Sequence, residues 1–113
     1  MEITRTFDLL EQYATKFKDK KVALAGKENR EWIHYSSKQY VDNTNHTSYG
    51  LLELGLKKGD KVATITNNRP EWNFVDMALA QAGMIHVPLF TNLSNDGYTE
   101  IFNHAEIKAV FVA

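Results

Sequence analysis

Cysteine is absent from the 113-residue chain, which excludes disulfides, thiolate metal sites and cysteine nucleophiles. No stretch approaches the ~20 consecutive apolar residues that a membrane-spanning helix needs. The start of the chain, MEITRTFDLLEQ, is polar where a signal peptide would need an apolar core. We therefore expect a cytoplasmic location.

A strong charge of either sign is also missing. The 13 Lys and Arg side chains are nearly balanced by 14 Asp and Glu, the formal net charge is −1, and the basic residues are scattered. Surfaces that bind nucleic acid need clustered basic residues, so we expect no nucleic-acid partner. The length suits a single domain over residues 1–113.

The common nucleotide, hydrolase and zinc motifs do not occur: there is no Gly-x-x-x-x-Gly-Lys-Ser/Thr, Gly-x-Gly-x-x-Gly, Gly-x-Ser-x-Gly or His-Glu-x-x-His. The four histidines lie far apart, and none is three or four residues from another. His86 sits in the apolar run MIHVPL, which is more typical of a hydrogen-bonded core histidine than of a catalytic one. We predict no catalytic residue and no metal ligand in this chain.

Hydrophobic periodicity in the first half predicts a helix, a small antiparallel hairpin and a second helix. Thr4 or Thr6 can cap the first helix, whose apolar stripe should face the core. The second helix opens on the capping-box pattern SSKQ and should stop at Gly55. The predicted ranges are 6–18 for the first helix, 22–25 and 32–35 for the strands joined by GKENRE, and 36–54 for the second helix.

In the second half, short apolar strands alternate with helices. This pattern predicts a parallel sheet with right-handed crossovers and helices on both faces, a partial doubly wound α/β fold. The predicted strands are 61–66, 85–89 and 108–112, and the helices are 70–82 and 94–104. The apolar ending AVFVA has no helix after it, so we expect the chain to be a fragment of a longer α/β protein.

The segment ITNNRPEW, residues 65–72, has two interpretations. As a structural hinge, Pro70 begins a helix, and Asn67 and Asn68 form the turn because asparagine tolerates left-handed backbone. As an anion site, Arg69 and the helix N-terminus lie at the carboxyl end of a parallel strand, where open α/β folds bind ligands. The residues alone leave both open.

The string GLKKGDKVATITNNRPEWNFVDMALAQAGMIHVPLFTNLS resembles the early part of the adenylate-forming (AMP-binding) enzymes, specifically long-chain fatty acid–CoA ligases. The upstream segment IHYSSKQYVD and the downstream segment IFNHAEIKAVFV extend the resemblance over essentially the whole chain. The segments that carry it in the central string are 59–63, 68–72, 82–83, 87–89 and 93–94.

The resemblance implies that the parent protein uses ATP, Mg²⁺ and coenzyme A to turn a fatty acid into acyl-CoA through an acyl-adenylate. The family's phosphate loop, adenine-site aromatic segment, ribose-binding Asp and catalytic Lys have no counterpart here, so the chain alone should be inactive and should bind no cofactor tightly. Phe90, Thr91 and Asn92 align with a place where some members line the coenzyme A channel. Peripheral membrane association of the parent stays open, and the alternative is a free-standing α/β interaction module.

Overall fold

The computed structural model describes residues 2–113 as two small sheets and four helices. One sheet is an antiparallel hairpin, and the other is parallel with the strand order β4-β3-β5. The predicted class, a mainly parallel sheet with flanking helices after a helix and a hairpin, is confirmed. The elements are α1 (Asp8–Ala14), β1 (Leu24–Glu28), β2 (Glu31–Tyr35), α2 (Ser37–Glu53), β3 (Lys61–Ile65), α3 (Pro70–Gln81), β4 (Ile85–Leu89), α4 (Asn95–Ala105) and β5 (Ile107–Val112).

Helix α1 is shorter than the predicted 6–18, and no threonine caps it. Instead the Asp8 carboxylate accepts hydrogen bonds from the backbone N–H of Thr4 (3.1 Å) and Arg5 (3.0 Å) and pairs with the Arg5 guanidinium at 2.8 Å. The Arg5 side chain and the Thr4 N–H together lower the pKa of Asp8 to about 2. At the other end, the Thr15 hydroxyl donates to the carbonyl of Glu11 (2.9 Å), a bond that competes with helix continuation.

The hairpin turn is tighter than predicted. Glu28 pairs with Glu31, so only Asn29 and Arg30 connect the strands, and the rest of GKENRE lies within them. Both turn residues have positive φ, 50° and 66°, which is the backbone of a type I′ turn and matches the twist of the strands.

Helix α2 is held by its cap and by packing. The Ser36 hydroxyl accepts from the N–H of Gln39 (3.1 Å), and the Gln39 amide oxygen accepts from the N–H of Ser36 (2.8 Å), which confirms the predicted capping box. Its weak helix-forming middle lies against α3, where the Ser48 hydroxyl donates to the carbonyl of Ala78 (3.0 Å). Gly55 follows the helix with φ 91°, as its role of stop residue predicts.

The main core lies between one face of the parallel sheet and helices α2 and α3. Central strand β3 contributes Val62, which is fully buried. Ala63 is also fully buried, but it points to the other face of the sheet. A second cluster joins α1, α2 and α3. The members of the first cluster are Leu51, Val62, Ala78, Leu79 and Met84, and those of the second are Leu10, Tyr40, Phe74 and Met77.

The face of the parallel sheet opposite the main core is only partly covered. Strand β4 lies on one side of β3 and β5 on the other, so the two crossover connections run in opposite directions across the sheet. Because such crossovers are right-handed, α3 and α4 lie on opposite faces. Helix α4 buries none of its residues, and Ile85, Val110 and Val112 stay 48%, 37% and 71% exposed. Helices on both faces agree with the prediction, and the one short amphipathic helix α4 leaves part of this face exposed.

Thr44 offers a test of how the α2–α3 contact is stabilised. Its side chain is fully buried, and among residues 2–113 its hydroxyl finds no hydrogen-bond partner. Thr44→Val should therefore raise the free energy of unfolding by about 1 kcal/mol, since a buried unpaired hydroxyl costs stability. Thr47→Val is the matched control on the same helix, because the Thr47 hydroxyl donates to the Asn43 carbonyl at 2.8 Å.

The control should lose stability by about 1 kcal/mol. Urea unfolding followed by circular dichroism measures both variants. A Thr44→Val protein less stable than Thr47→Val would contradict the packing described here.

Candidate functional site

The carboxyl ends of the three parallel strands meet at one edge of the sheet, named here the carboxyl edge. Ile65 of β3 pairs with Leu89 of β4 and with Val112 of β5, so the connections that follow these residues start side by side. Open α/β folds bind ligands at such an edge. It therefore holds the candidate site, and both segments singled out from the sequence, 65–72 and 90–92, lie on it.

The connection after β3 is a strand-to-helix hinge. Pro70 is the first residue of α3, and Arg69 before it is extended (φ −158°, ψ 156°), as predicted. The expected left-handed asparagines are not found: among the described residues other than glycine, φ is positive only at Asn29, Arg30 and Glu106. Asn67 and Asn68 make the connection without positive φ, so the backbone at these two positions does not require asparagine.

Glu71 ties this hinge to the hairpin. Arg69 donates from Nε to Oε2 of Glu71 at 3.0 Å, and the hydroxyl of Tyr35 in β2 donates to Oε1 at 3.2 Å. The two carboxylate oxygens thus join the residue before α3, the first turn of α3 and the second strand of the hairpin. We name these three residues the Glu71 tie.

The protonation states suit this arrangement. Burial raises the pKa of the Tyr35 hydroxyl and the Glu71 charge raises it further, so Tyr35 keeps the hydrogen that it donates. Burial alone would raise the pKa of Glu71, but its own backbone N–H and the Arg69 guanidinium outweigh burial and lower the pKa below its usual 4.5. Because the folded pKa is lowered, Glu71 stabilises the fold above pH 4.5 and loses that contribution as the pH falls further.

A polar cleft of about 290 Å³ lies between the hairpin and the hinge. Gly26, one of its lining residues, lets β1 approach α3 closely: a Cβ at this position would lie 2.5 Å from Cδ of Pro70. The charged residues of its lining cancel, two cations against two carboxylates, and are Lys27, Arg69, Glu28 and Glu71. With Arg69 directed at Glu71, the geometry favours the structural interpretation of this segment over anion binding.

The second connection, after β4, carries the residues marked by resemblance as a coenzyme A lining. Phe90, Thr91 and Asn92 are neighbours in an exposed turn at the carboxyl edge, and the Phe90 ring is 77% exposed. The Tyr98 hydroxyl of α4 donates to the carbonyl of Phe90 at 2.6 Å and accepts from the N–H of Leu93 at 3.3 Å. The loop therefore presents its side chains outward while its backbone is held from behind.

His86 is a core residue with both ring nitrogens engaged. Nδ1 lies 2.8 Å from a carboxylate oxygen of Asp76, and because a carboxylate only accepts, the hydrogen is on Nδ1. In the neutral ring Nε2 then accepts from the Thr64 hydroxyl at 2.8 Å. The Trp72 ring packs on the imidazole with centroids 5.1 Å apart. The prediction of a hydrogen-bonded core histidine agrees with this geometry.

The four histidines are not gathered by the fold. Within residues 2–113, no three His, Asp or Glu side chains are placed to share a metal ion. In the same range no helix is both long and apolar enough to cross a membrane.

Sequence reasoning missed the partners that come from distant elements. Tyr35 and Glu71 are 36 residues apart, and Thr64 and His86 are 22 apart. For the second pair a signal was available: if the predicted strands 61–66 and 85–89 are paired from their first residues, Val62 lies opposite His86, and Thr64 lies on the same face. Tyr98 carried a weaker signal, as the only aromatic residue in the first turn of α4.

Comparison with known proteins agrees with the fold and indicates the family of the chain. The family model described as AMP-binding enzyme matches residues 10–113. Fatty acyl-CoA synthetase A of Dictyostelium discoideum is 35% identical over 79 residues, which cover 70% of this chain and 12% of that protein. Human long-chain-fatty-acid–CoA ligase 1 is 32% identical over 84 residues, or 73% of this chain and 12% of the ligase.

Among solved structures, the N-terminal subdomain of NpsA from Klebsiella oxytoca superposes with a TM-score of 0.80 at 19% identity, covering 97% of this chain and 27% of that one. At this identity the likeness speaks for the fold alone. The fold class is thus that of the N-terminal subdomain of an adenylate-forming enzyme, with its parallel sheet and flanking helices.

By the family match, the chain belongs to the AMP-binding enzymes. It spans 12% of the length of each of the two curated relatives described above.

Gly26→Ala tests the close contact between the hairpin and the hinge. The new methyl group would overlap Pro70, so the hairpin must move away from α3 and the free energy of unfolding should fall by about 1–3 kcal/mol. Gly50→Ala is the matched control, because a Cβ at Gly50 in helix α2 would meet no atom within 4 Å. The control should gain up to about 1 kcal/mol from helix propensity.

Chemical denaturation of both variants makes the comparison. Equal stability of Gly26→Ala and the unaltered protein would show that the hairpin does not pack on Pro70 as described.

Proposed function

We propose that this chain is the N-terminal scaffold segment of the adenylation domain of an AMP-forming long-chain fatty acid–CoA ligase. The observation that carries the proposal is the family match over residues 10–113 together with acyl-CoA synthetase relatives at 32% and 35% identity. In the proposed reaction, ATP and a fatty acid give an acyl-adenylate and pyrophosphate, and the acyl group then passes to the thiol of coenzyme A with release of AMP.

In this proposal the chain shapes the domain and performs no chemical step. Its sequence has no phosphate-cradling glycine loop, and the two charged residues of the hinge, Arg69 and Glu71, are bonded to each other in the Glu71 tie. Formation of the acyl-adenylate concentrates charge on the phosphates of ATP and on the departing pyrophosphate, which is why the whole enzyme would use Mg²⁺. The residues of this chain that the structure describes do not fit such an ion, so the metal, like ATP, would be held elsewhere in the enzyme.

The partners of the whole enzyme in this proposal are small molecules: a fatty acid, ATP and coenzyme A. Phe90, Thr91 and Asn92 would contribute to the coenzyme A channel, which fits their exposed position at the carboxyl edge. We place the enzyme in the cytoplasm, with peripheral association of the parent at membranes that supply its fatty acid. Fractionation of cells that express the natural protein tests that location.

A second candidate is a free-standing α/β interaction module that keeps the scaffold of a ligase. The observation that favours it is the uncovered face of the parallel sheet, where Ile85, Val110 and Val112 are exposed. Apolar patches of this kind mark contact surfaces, and the same patch serves equally for packing against the rest of an adenylation domain. The reading frame after Ala113 separates the two candidates: continuation into a glycine-rich phosphate loop favours the ligase, and a stop codon favours the module.

Assays of acyl-CoA formation test the proposal directly. The 113-residue chain and the longer product of the same gene are each supplied with ATP, palmitate and coenzyme A. We expect no turnover by the short chain and ATP-dependent palmitoyl-CoA from the longer product, with reactions lacking ATP as the blank. Turnover by the short chain would refute its role as a scaffold, and an inert longer product would refute the ligase.

A further inference from the structure

The hairpin of β1 and β2 is a sheet of its own. Its two strands pair with each other and form a sheet separate from β4-β3-β5. None of residues 24–35 is buried: Leu24, Gly26 and Tyr35 are half-buried, and the others are exposed. A two-stranded hairpin is at most marginally stable by itself. The hairpin therefore depends on its contacts with the rest of the chain.

The half-buried face of the hairpin meets the start of α3. Gly26 and Tyr35 lie on the same face in the observed register. Gly26 lies against Pro70, and the Tyr35 ring packs edge-on against Phe74 with ring centroids 5.0 Å apart. The Tyr35 hydroxyl adds a polar contact, donating to Oε1 of Glu71 at 3.2 Å. Because a hydrogen bond is directional, this contact fixes the position of the hairpin more closely than the apolar contacts do.

In this position the hairpin closes one side of the polar cleft. Lys27, Glu28 and Asn29 line the cleft from the hairpin, and Asn67 and Asn68 line it from the connection after β3. That connection starts at the carboxyl edge of the parallel sheet. Movement of the hairpin away from α3 would therefore expose the cleft at this edge.

We propose that the hairpin, residues 24–35, is a flap: the hydrogen bond from Tyr35 to Glu71 holds it closed on α3, and its release opens the cleft while the parallel sheet stays folded. Segments with few buried apolar contacts open more often than the core of a protein. Strand β3, where Val62 is fully buried, belongs to that core. The flap and the sheet therefore differ in the free energy of opening, whatever reaction the whole protein catalyses.

Acid should weaken the flap contact through Glu71, which accepts from Arg69 and Tyr35. Lys27 and Glu28 of β1 also line the cleft, and the cavity of about 250 Å³ on the β5 side brings no further charged side chain of residues 2–113 to Glu71. Burial raises the pKa of Glu71, but its backbone N–H and the Arg69 guanidinium outweigh burial and hold the pKa below 4.5. Above pH 4.5 the carboxylate is therefore charged and accepts strongly from Tyr35, and this contribution is lost as the pH falls further.

Tyr35→Phe in the natural full-length protein tests the flap by hydrogen exchange, because it removes the hydroxyl and keeps the ring on Phe74. We expect the amides of residues 24–35 to exchange about fivefold faster, the factor for one hydrogen bond of ordinary net strength, and those of residues 61–65 to stay within about twofold. Tyr49→Phe is the matched control, since it removes a hydroxyl from a side chain on α2 that is 68% exposed. The control should change neither segment.

Exchange at about pH 5.5 and about pH 3.5, with intrinsic rates divided out, is the second measurement. In the unaltered protein the protection of residues 24–35 relative to 61–65 should fall at the lower pH, and in Tyr35→Phe this ratio should change less. Equal exchange of residues 24–35 in Tyr35→Phe and Tyr49→Phe overturns the role of the hydroxyl. Equal acceleration of both segments in Tyr35→Phe overturns the flap, because the hairpin and the sheet would then open together. A ratio that does not change with pH in the unaltered protein overturns the part assigned to the Glu71 charge.

Discussion

The burial of β3 between β4 and β5 is the constraint on which the rest of the structure depends. The strand order β4-β3-β5 requires two crossover connections. Strand β3 is therefore flanked by a strand on each side, and helices α2 and α3 pack on one of its faces. Val62 and Ala63 have no exposed surface, so the strand accepts only apolar residues or polar ones with a partner. Thr64 meets this requirement through His86, which in turn is held by Asp76 of α3. One buried hydroxyl thereby links the central strand, an edge strand and the packing helix.

The carboxyl edge follows from the same constraint, since parallel strands in register must end together. What the edge carries is then decided by contacts across the fold. At the β3 end, Glu71 joins the hinge to the hairpin, so the segment 65–72 has a structural role. At the β4 end, Phe90 and its neighbours Thr91 and Asn92 are exposed. The two loops therefore differ: in the first a side-chain carboxylate joins two elements, and in the second the backbone is held by Tyr98 while the side chains of residues 90–92 are exposed.

The second half of the fold could be predicted from the sequence nearly to the residue, because local rules decide it. Pro70 fits the first position of a helix and not its interior, so it fixes where α3 begins. Short apolar strands that alternate with helices are typical of parallel sheets. The failures come from contacts between distant residues or from local competition. No threonine caps α1; the Asp8 carboxylate instead accepts from two backbone N–H groups that precede the helix, those of Thr4 and Arg5. The hairpin turn fell on Asn29 and Arg30, a register that the composition of GKENRE does not determine.

We infer that residues 65–72 serve the structure of the AMP-binding enzyme to which they belong and not its chemistry. Replacement of Arg69 by alanine in the full-length enzyme measures this most directly, with Tm and the rate per folded molecule recorded on the same preparation. Arg69 holds Glu71 at 3.0 Å with its side chain 36% exposed, so its loss should lower stability by about 1 kcal/mol or less. We expect a lower Tm and an unchanged rate per folded molecule. An unchanged Tm with a large loss of rate would contradict it.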